Sequence, residues 1–570
     1  MKNGIKKLVI SLSVVVGIAV FFSFRAEKDH NFEVAKNLDI FNSIVKELDM
    51  FYVDTIDPNV TIRRAIDAML YSLDPHTSYY PADDQSELEQ MIKGSYGGIG
   101  SIISYDPKNK YSVIAEPYEG MPAAEVGLKV GDILLQIDDT VLSDKDNQQV
   151  SEMLRGEIGT NFVLKVKRPG VEKPLDFTIT RKSIQLPTIP YYGVLKDKVG
   201  YIEFVSFSGT PAADFKKAFV DLKNQGIESL IIDLRSNGGG LLDEAVEIVN
   251  YFVPKGDTIV TTKGKIKQAS NTYVTKNQPL DTEIPIVLLV GGSTASAAEI
   301  LAGSLQDLDR GVVIGSKTFG KGLVQIPRAL PYGANMKLTS AKYYIPSGRC
   351  VQAIDYSHRD ADGKVERIPD SLMTVFHTSI GREVKDGAGI MPDIEVKQDK
   401  LPNILFYLVT ENHIFNYATD YCLKHKKIAP AKDFALSEAD YQEFKEYIKG
   451  KDFKYDQQSE KVLSSLKEIA EFEGYLEESK SEFEALEKKL SHNIDKDLDY
   501  FSKDIKHILS LEIVKRYYFQ KGSTIERLKQ DKEVDEAVGI LKGNTIYKNI
   551  LSPAFKPMLS DSISVKLTKS

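Results

Sequence analysis

The chain has 570 residues, of which 42% are hydrophobic and 27% are charged, a composition typical of globular proteins. This length predicts three or four domains. The formal net charge of −8 and the absence of a basic stripe argue against nucleic acid as a partner. The two cysteines, Cys350 and Cys422, exclude a disulfide scaffold and a Cys-rich zinc site. We expect no metal and no organic cofactor.

The N-terminal 26 residues have the pattern of a targeting segment. Three lysines among the first seven residues precede an apolar run, Leu8–Phe24. Residues 1–26 are therefore predicted to be a signal anchor or a signal peptide. The run is just long enough to span a bilayer and ends without a good cleavage site, which favours the anchor. The positive-inside rule then predicts an exported protein in the bacterial periplasm, anchored to the inner membrane by residues 5–24.

Residues 27–94 are predicted to form a small helical region. Apolar side chains recur at spacings of three and four over residues 31–52, and again over 62–70. His76 follows an Asp-Pro pair. It could serve as a catalytic base, but a turn residue is the better interpretation, because no nucleophile is nearby in the sequence.

Residues 95–183 change in character and resemble a PDZ domain. Short strand-like runs alternate with glycine turns, and the segment Gly127–Leu134 carries most of the resemblance. The predicted strands are Ile99–Ser104, Ser112–Ala115, Ile133–Ile137 and Phe162–Lys167, and a helix is predicted at Asp146–Leu154.

A glycine-rich loop lies where PDZ domains place their carboxylate-binding loop. Its residues Gly97, Gly98, Ile99 and Gly100 allow backbone N–H groups to turn inward as an anion nest. An extended peptide could then add beside the adjoining strand with its C-terminal carboxylate in the nest. A plain hairpin turn is the alternative interpretation of the loop alone.

Residues 184–398 alternate strands and helices, which predicts an α/β core, a parallel-containing sheet with crossover helices. Two loops, Arg235–Gly240 and Gly291–Ala295, follow buried apolar runs and so lie at the carboxyl ends of strands. Sites in such sheets form at these ends. Within residues 399–570, the segment Val462–Leu490 is rich in Lys and Glu and has apolar residues at helical spacing. This predicts a C-terminal α-helical region for assembly or substrate enclosure.

The segment after the strand Ile286–Val290 has the residues of a serine nucleophile with a lysine base. Ser296 opens a helix, and Lys321 lies between two glycines in an apolar segment, where burial lowers a lysine pKa. Gln325 lies four residues on, on the same side of an extended strand as Lys321. The backbone N–H groups of Ala297 and Gly239 are the predicted oxyanion donors.

Taken singly, these signals are weak. A serine at a strand-to-helix turn is usually a helix cap, and a lone lysine is usually on the surface. A Ser-x-x-Lys pattern also occurs at Ser464–Lys467. It lies in the charged helical region and is interpreted as solvated surface.

The combination resembles the C-terminal processing (tail-specific) serine proteases, which couple a PDZ domain to a Ser/Lys catalytic domain. The resemblance implies Ser296 as nucleophile, Lys321 as base 25 residues later, and Gln325 as the residue that orients the lysine. It also points to Asp307, for which a helix-end role is the alternative. The matching segments are Leu73–Tyr79, Tyr96–Gly100, Asp233–Gly240, Thr294–Glu299 and Thr318–Gln325.

Two positions depart from the family pattern, Gly238 for the usual proline and Ala298 for a frequent serine, and neither is a reacting group. The resemblance implies an ATP-independent endopeptidase that captures unfolded or tailed proteins by their C-terminus. A homo-oligomer, an adaptor protein and the membrane are the other expected partners. The alternative functions are a catalytically silent PDZ adaptor and a structural anchor of the envelope.

Overall fold

The computed structural model describes residues 30–559, apart from 83–84, 86–87, 89–93, 107–109, 361–362, 398–399, 452, 456–457, 491–492 and 543. The predicted anchor at 5–24 lies outside the described residues. In the described part of the chain, every helix is too short or too polar to cross a bilayer. The chain divides into two units, Met1–Tyr79 and Tyr80–Ser570.

The first unit contains two helices close to their predicted positions, α1 (30–51) and α2 (Pro58–Tyr71). Asp57 caps α2 by accepting the Asn59 N–H. The strand β1 (Ser78–Tyr80) follows at the boundary of the unit. Between α2 and β1, a carboxylate oxygen of Asp74 accepts the N–H of His76 at 2.8 Å, which fixes a turn there. The interpretation of His76 as a turn residue is confirmed.

The PDZ region is an antiparallel sheet around a small apolar core. Its elements are β2 (Ser95–Gly98), β3 (Ser101–Asp106), β4 (Tyr111–Pro117), α3 (Pro122–Glu125), β5 (Ile133–Ile137), β6 (Thr140–Val141), α4 (Asn147–Leu154), β7 (Asn161–Lys167), β8 (Leu175–Thr180) and β9 (Lys182–Gln185). The strand predicted at Ile99–Ser104 begins later, at Ser101, because the Ile99 carbonyl accepts the Ala123 N–H instead of joining a ladder.

The α/β region contains the predicted serine and lysine segments. Its elements are β10 (Tyr191–Val194), β11 (Val199–Glu203), α5 (Pro211–Asn224), β12 (Ser229–Asp233), α6 (Leu242–Asn250), β13 (Thr258–Gly264), β14 (Thr272–Val274), β15 (Ile286–Val290), α7 (Ala297–Asp307), β16 (Val312–Gly315), β17 (Leu323–Ala329), β18 (Asn335–Tyr344), β19 (Ile354–Arg359), β20 (Val365–Arg367), β21 (Val375–His377), β22 (Glu383–Lys385) and β23 (Ile394–Glu395). Strands β13, β14, β17 and β18 form a separate antiparallel sheet.

The main sheet has the order β10-β11-β12-β15-β16-β23 and is parallel from β11 onwards. Strands β12 and β15 are neighbours, with Asp233 opposite Leu289. The loop after β12 and the turn after β15 therefore leave the same edge of the sheet side by side. This confirms the predicted architecture and brings the two predicted halves of the site together.

The C-terminal region is helical and has its own apolar core. Its elements are α8 (Asn403–Thr410), α9 (His413–Lys424), α10 (Glu438–Lys449), α11 (Gln458–Phe472), α12 (Lys480–Leu490), α13 (Ile494–Tyr500), α14 (Ser502–Arg527), α15 (Lys532–Lys542), α16 (Asn544–Ile550) and β24 (Met558–Leu559).

The last part of this region packs on the main sheet rather than on the other C-terminal helices. Val534, Ala537 and Ile540 of α15 are buried against Val287 and Leu289 of β15 and their neighbours, and β24 adds a parallel strand beside β23. Helices α5, α6 and α7 cover the opposite face. A parallel sheet buries both faces, so the chain needs its own C-terminal end to complete the core.

Candidate active site

Ser296 lies in a strained turn between the end of β15 and the start of α7. Its backbone has φ 56° and ψ −118°, a conformation that side-chain-bearing residues rarely adopt. The residue is half-buried, whereas Ser293 in the same turn is exposed. Strain of this kind persists only where neighbours enforce it, and it concentrates at functional sites.

A buried carboxylate enforces the turn. Glu299, on the first turn of α7, is fully buried. Its Oε2 accepts the backbone N–H of Ser296 at 2.9 Å and that of Lys321 at 2.8 Å. Its Oε1 accepts the N–H of Gly320 at 2.8 Å and the hydroxyl of Thr318 at 2.5 Å. One oxygen atom thus ties together the backbones of the predicted nucleophile and the predicted base.

Burial raises the pKa of Glu299 to about 7, while the four hydrogen bonds that it accepts oppose this rise by stabilising the charged form. The group therefore changes charge near neutral pH. When the carboxylate is charged, all four donors are needed to compensate for the water that it loses on burial.

The same carboxylate explains why Lys321 lies outside a strand. The sequence predicts Lys321 on the same extended strand as Gln325, but β17 begins only at Leu323. The N–H groups of Gly320 and Lys321 point to Glu299 instead of to a neighbouring strand. Lys321 is half-buried, as is Ser296.

A second buried side chain bridges the same two backbones. The hydroxyl of Tyr343, a residue of β18, lies 2.7 Å from the Lys321 carbonyl oxygen and 3.2 Å from the Ser296 carbonyl oxygen. Tyr343 is 1% exposed. Glu299 thus holds the N–H groups of the serine and the lysine, and Tyr343 holds their carbonyl groups.

The glycine loop after β12 packs directly on the nucleophile turn. A Cβ at Gly239 would lie 2.6 Å from the Ala295 carbonyl oxygen and 2.8 Å from the Ser296 Cβ. Gly239 also has φ +96°, which favours glycine. Only a residue without a side chain can therefore bring this loop so close to the serine.

Asn237 shapes the glycine loop from inside. It is fully buried, and its Nδ2 donates to the Phe204 carbonyl at 2.9 Å. Its backbone carbonyl accepts the Ala295 N–H at 3.0 Å, and its Oδ1 accepts the Gly239 N–H at 2.9 Å. The predicted oxyanion donors Gly239 and Ala297 are thus adjacent, but an oxyanion would compete with Asn237 for the Gly239 N–H.

Three parts of the chain match known families. Residues 198–357 match peptidase family S41, residues 113–168 match a PDZ domain, and residues 404–541 match the C-terminal helical domain of probable PDZ-proteases. A carboxy-terminal-processing protease of Bartonella bacilliformis is 35% identical over 325 residues, which cover 56% of this chain and 73% of the relative. The chain belongs to the carboxy-terminal-processing proteases of family S41.

This family membership makes the protein a serine-type endopeptidase with a PDZ domain. A probable CtpA-like serine protease of Staphylococcus epidermidis is 31% identical over 348 residues, covering 60% of this chain and 69% of the relative. Among solved structures, a photosystem II D1 C-terminal processing protease has 26% identity and a TM-score of 0.36, covering 63% of this chain and 87% of that one.

Gln325 and Asp307 lie in different surroundings. Gln325 is on β17, and its Nε2 donates to the Thr339 hydroxyl of β18 at 3.2 Å. Asp307 ends α7, at the opposite end from Ser296, and it accepts from Arg349 at 2.7 Å and from the Ser347 N–H at 3.0 Å. Both Asp307 and Arg349 are buried, so these contacts account for a structural role at the end of the helix.

The predicted peptide-binding loop lies between β2 and β3. Gly97 and Gly98 pair with β9, and the Ile99 side chain is buried in the PDZ core. The Gly100 carbonyl accepts the Tyr118 N–H at 3.0 Å, and φ at Gly100 is +68°. The loop carbonyls are therefore satisfied inside the domain, and β3 is left at the edge of the described sheet.

The sequence reasoning missed three buried residues that hold the site together, Glu299, Tyr343 and Asn237. A signal was present for one of them. The spacing Ser296-x-x-Glu299 is a capping-box pattern, in which the glutamate accepts the N–H of the serine. Nothing in the sequence indicated that the same carboxylate also binds the Lys321 segment.

Proposed function

We propose that Ser296 is the nucleophile of this protease and that Lys321 is its general base. The observation that carries the proposal is the shared oxygen of Glu299, which holds both backbones at 2.9 Å or less. This support fixes the separation of the two residues before substrate arrives. Preorganisation of this kind lowers the cost of reaching the reacting geometry.

The reaction follows the acyl-enzyme course of serine hydrolases. Lys321 takes the hydroxyl proton while Ser296 Oγ bonds to the peptide carbonyl carbon. The N–H of Ala297 stabilises the oxyanion, joined by the N–H of Gly239 when it leaves the Asn237 Oδ1. The amine leaves with the proton from the lysine. Water, deprotonated by the same lysine, then breaks the ester and restores Ser296. Gln325 is proposed to orient the lysine amine.

We infer that the PDZ domain selects substrates by their C-terminus. The edge strand β3 exposes Ile102, and its Ile103 carbonyl accepts a bond from the Asn147 side chain at 3.2 Å. A backbone N–H of an extended peptide lying along β3 would replace Asn147 as the donor to the Ile103 carbonyl. The carboxylate of the peptide would then lie at the Gly98–Gly100 loop. Residues 5–24 are proposed to anchor the exported protein to the inner membrane of a bacterium.

The catalytic assignment is tested with the full chain and an unfolded protein substrate, with products identified by mass spectrometry. Ser296→Ala and Lys321→Ala are expected to lower kcat by at least about 1,000-fold with unchanged melting temperatures. The matched controls are Ser293→Ala, in the same turn, and Lys317→Ala, in the same segment, and both are expected to cleave normally.

Full activity of Ser296→Ala or Lys321→Ala would overturn the dyad. Peptide binding without cleavage by the wild-type protein would instead identify a silent PDZ adaptor. The PDZ role is tested with one substrate prepared with a free C-terminal carboxylate and with a C-terminal amide. The free acid is expected to be cleaved faster, and equal rates would exclude carboxylate recognition.

A further inference from the structure

The C-terminal helical region reaches the glycine loop through one arginine. Arg235 lies two residues before Asn237, and its guanidinium contacts three carboxylates. On the core side, its Nε and Nη2 donate to Asp233 at 3.0 and 2.6 Å. In the C-terminal helical region, Asp531 accepts from Nη1 and Nη2 at 2.9 and 2.7 Å, and Glu533 accepts from Nη1 at 2.5 Å.

These contacts use all five N–H groups of the guanidinium. The catalytic domain supplies the acceptors for two of them, and the tail supplies the acceptors for the other three. All four side chains are largely buried, with Arg235 16% exposed and Asp531 6% exposed. Loss of the Asp531 and Glu533 carboxylates would leave a buried guanidinium with unsatisfied N–H donors. The Arg235 side chain would then turn toward water and displace the backbone of the glycine loop.

The position of Arg235 makes this movement matter for catalysis. The Leu234 carbonyl accepts the Thr294 hydroxyl at 2.7 Å, and the Asn237 carbonyl accepts the Ala295 N–H at 3.0 Å. Arg235 therefore sits between two bonds that join the glycine loop to the turn of Ser296. A shift at Arg235 reaches both the oxyanion donors and the nucleophile.

Asp531 and Glu533 belong to a helix that is capped and packed on the catalytic domain. Asp531 precedes α15, and its Oδ1 also accepts the Val534 N–H at 3.2 Å, as a helix cap does. Helix α15 is packed on the catalytic sheet through Val534 and Ala537. Arg527, at the end of α14, adds a bond to Glu203 of β11 at 2.6 Å. The two carboxylates are thus held in place by a buried helix.

We propose that Asp531 and Glu533 are positioning residues of the protease, which hold the glycine loop in its catalytic conformation through Arg235. The C-terminal helical region is then part of the active-site scaffold rather than only a region for assembly or enclosure. The inference rests on the proposed function of Ser296, because it assigns the glycine loop a role beside that serine.

The test compares Asp531→Asn, Glu533→Gln and Lys542→Gln in the full chain with the same unfolded substrate. Asparagine keeps the helix cap of α15 but removes the charge that faces Arg235. Asp531→Asn is expected to lower kcat about tenfold with KM changed less than about twofold, and Glu533→Gln to lower it less. Lys542→Gln removes an exposed pair from the same helix to Asp197 of the core and is expected to leave kcat unchanged.

A double-mutant cycle separates positioning from general loss of stability. In an Arg235→Gln background, Asp531→Asn is expected to cause no further loss of kcat, because its effect passes through Arg235. Hydrogen exchange of the peptide covering residues 234–241 should become faster in Asp531→Asn and stay unchanged in Lys542→Gln. This measurement does not depend on activity and applies even where Arg235→Gln does not fold.

Unchanged kcat and exchange in Asp531→Asn would overturn the proposal, as would an equal loss of kcat in Lys542→Gln. Failure of the proposed function gives a different result, cleavage by Ser296→Ala. The two failures are therefore distinguishable in one set of variants.

Discussion

The two halves of the candidate site are held in different ways. The half that contains Ser296 and Lys321 is held by Glu299 and Tyr343, which lie within 47 positions of Ser296 in the sequence. The half that contains the glycine loop is held by Arg235 and its partners 296 and 298 positions away. The first half is complete within the catalytic domain, whereas the second depends on the end of the chain.

The difference suggests how each half fails. Loss of a support in the first half should disturb the serine and the lysine together, since one side chain binds both backbones. Loss of a support in the second half should displace the glycine loop and, through its bonds to Thr294 and Ala295, the turn of Ser296. Glu299 would still hold the backbones of the serine and the lysine together. Variants of single supporting residues can therefore test whether the two halves are supported separately.

Glu299→Ala is expected to have the largest effect. It removes the acceptor of three backbone N–H groups and one hydroxyl, all buried. We expect the free energy of unfolding to fall by about 4 kcal/mol and cleavage to be lost. The measurements are urea unfolding and the rate of cleavage of an unfolded protein at a temperature where the variant remains folded.

Asp307→Asn is the matched control, because Asp307 is also buried and lies at the other end of α7. Removing its charge breaks the pair with Arg349 and should destabilise the protein by about 3 kcal/mol. Its kcat should stay within a fewfold of wild type. A loss of kcat as large as that of Glu299→Ala would instead favour the predicted role of Asp307 in activity.

Gly239→Ala should be the next most damaging change. Its new methyl group would meet the Ala295 carbonyl oxygen at 2.6 Å and the Ser296 Cβ at 2.8 Å, so the loop and the turn must separate. A displacement of about 1 Å at a catalytic group costs about 100-fold in rate, which is the expected loss of kcat. Gly238→Ala, where a Cβ meets no atom within 4 Å, is the control and should remain active. Equal activity of both variants would disprove the close approach at Gly239.

Tyr343→Phe should have a smaller effect than either change. It removes the hydroxyl that donates to the carbonyl oxygens of Lys321 and Ser296, and it leaves the aromatic ring in the core. We expect a loss of about 1–2 kcal/mol in the free energy of unfolding and a kcat lowered by less than about tenfold. Thermal unfolding and steady-state kinetics would measure both, and a loss of all activity would give Tyr343 a direct part in the reaction.

The last prediction concerns the pH dependence of stability, where the smallest effect on cleavage itself is expected. Burial raises the pKa of Glu299 from 4.5 to about 7, so the folded state binds this proton more tightly than the unfolded state. The contribution of the group to the free energy of unfolding therefore falls as the pH rises from about 4.5 to about 7, by up to about 3 kcal/mol. The difference between wild type and Glu299→Gln, measured by urea unfolding at several pH values, should show this slope. A difference that does not change with pH would mean that the four donors cancel the effect of burial on the pKa of Glu299.

Local sequence patterns determined most of the architecture. Alternation of strands and helices predicted the α/β core, and several elements of the chain, including β5 and β15, have the predicted bounds. The strand-to-helix turn predicted where Ser296 lies, because the end of a parallel strand and the start of a helix are both local features. The family motifs then predicted its pairing with Lys321, which the structure brings close through Glu299.

Tertiary structure alone decided how the site is supported. Glu299 could be predicted as a helix cap, but its bonds to Gly320 and Lys321 depend on a segment that returns from another part of the fold. The contacts of Asp531 and Glu533 with Arg235 join residues separated by half the chain. Sequence periodicity predicts which face of an element is buried, but it does not predict which other element covers that face. Contacts between residues so far apart in sequence therefore cannot be derived without the folded structure.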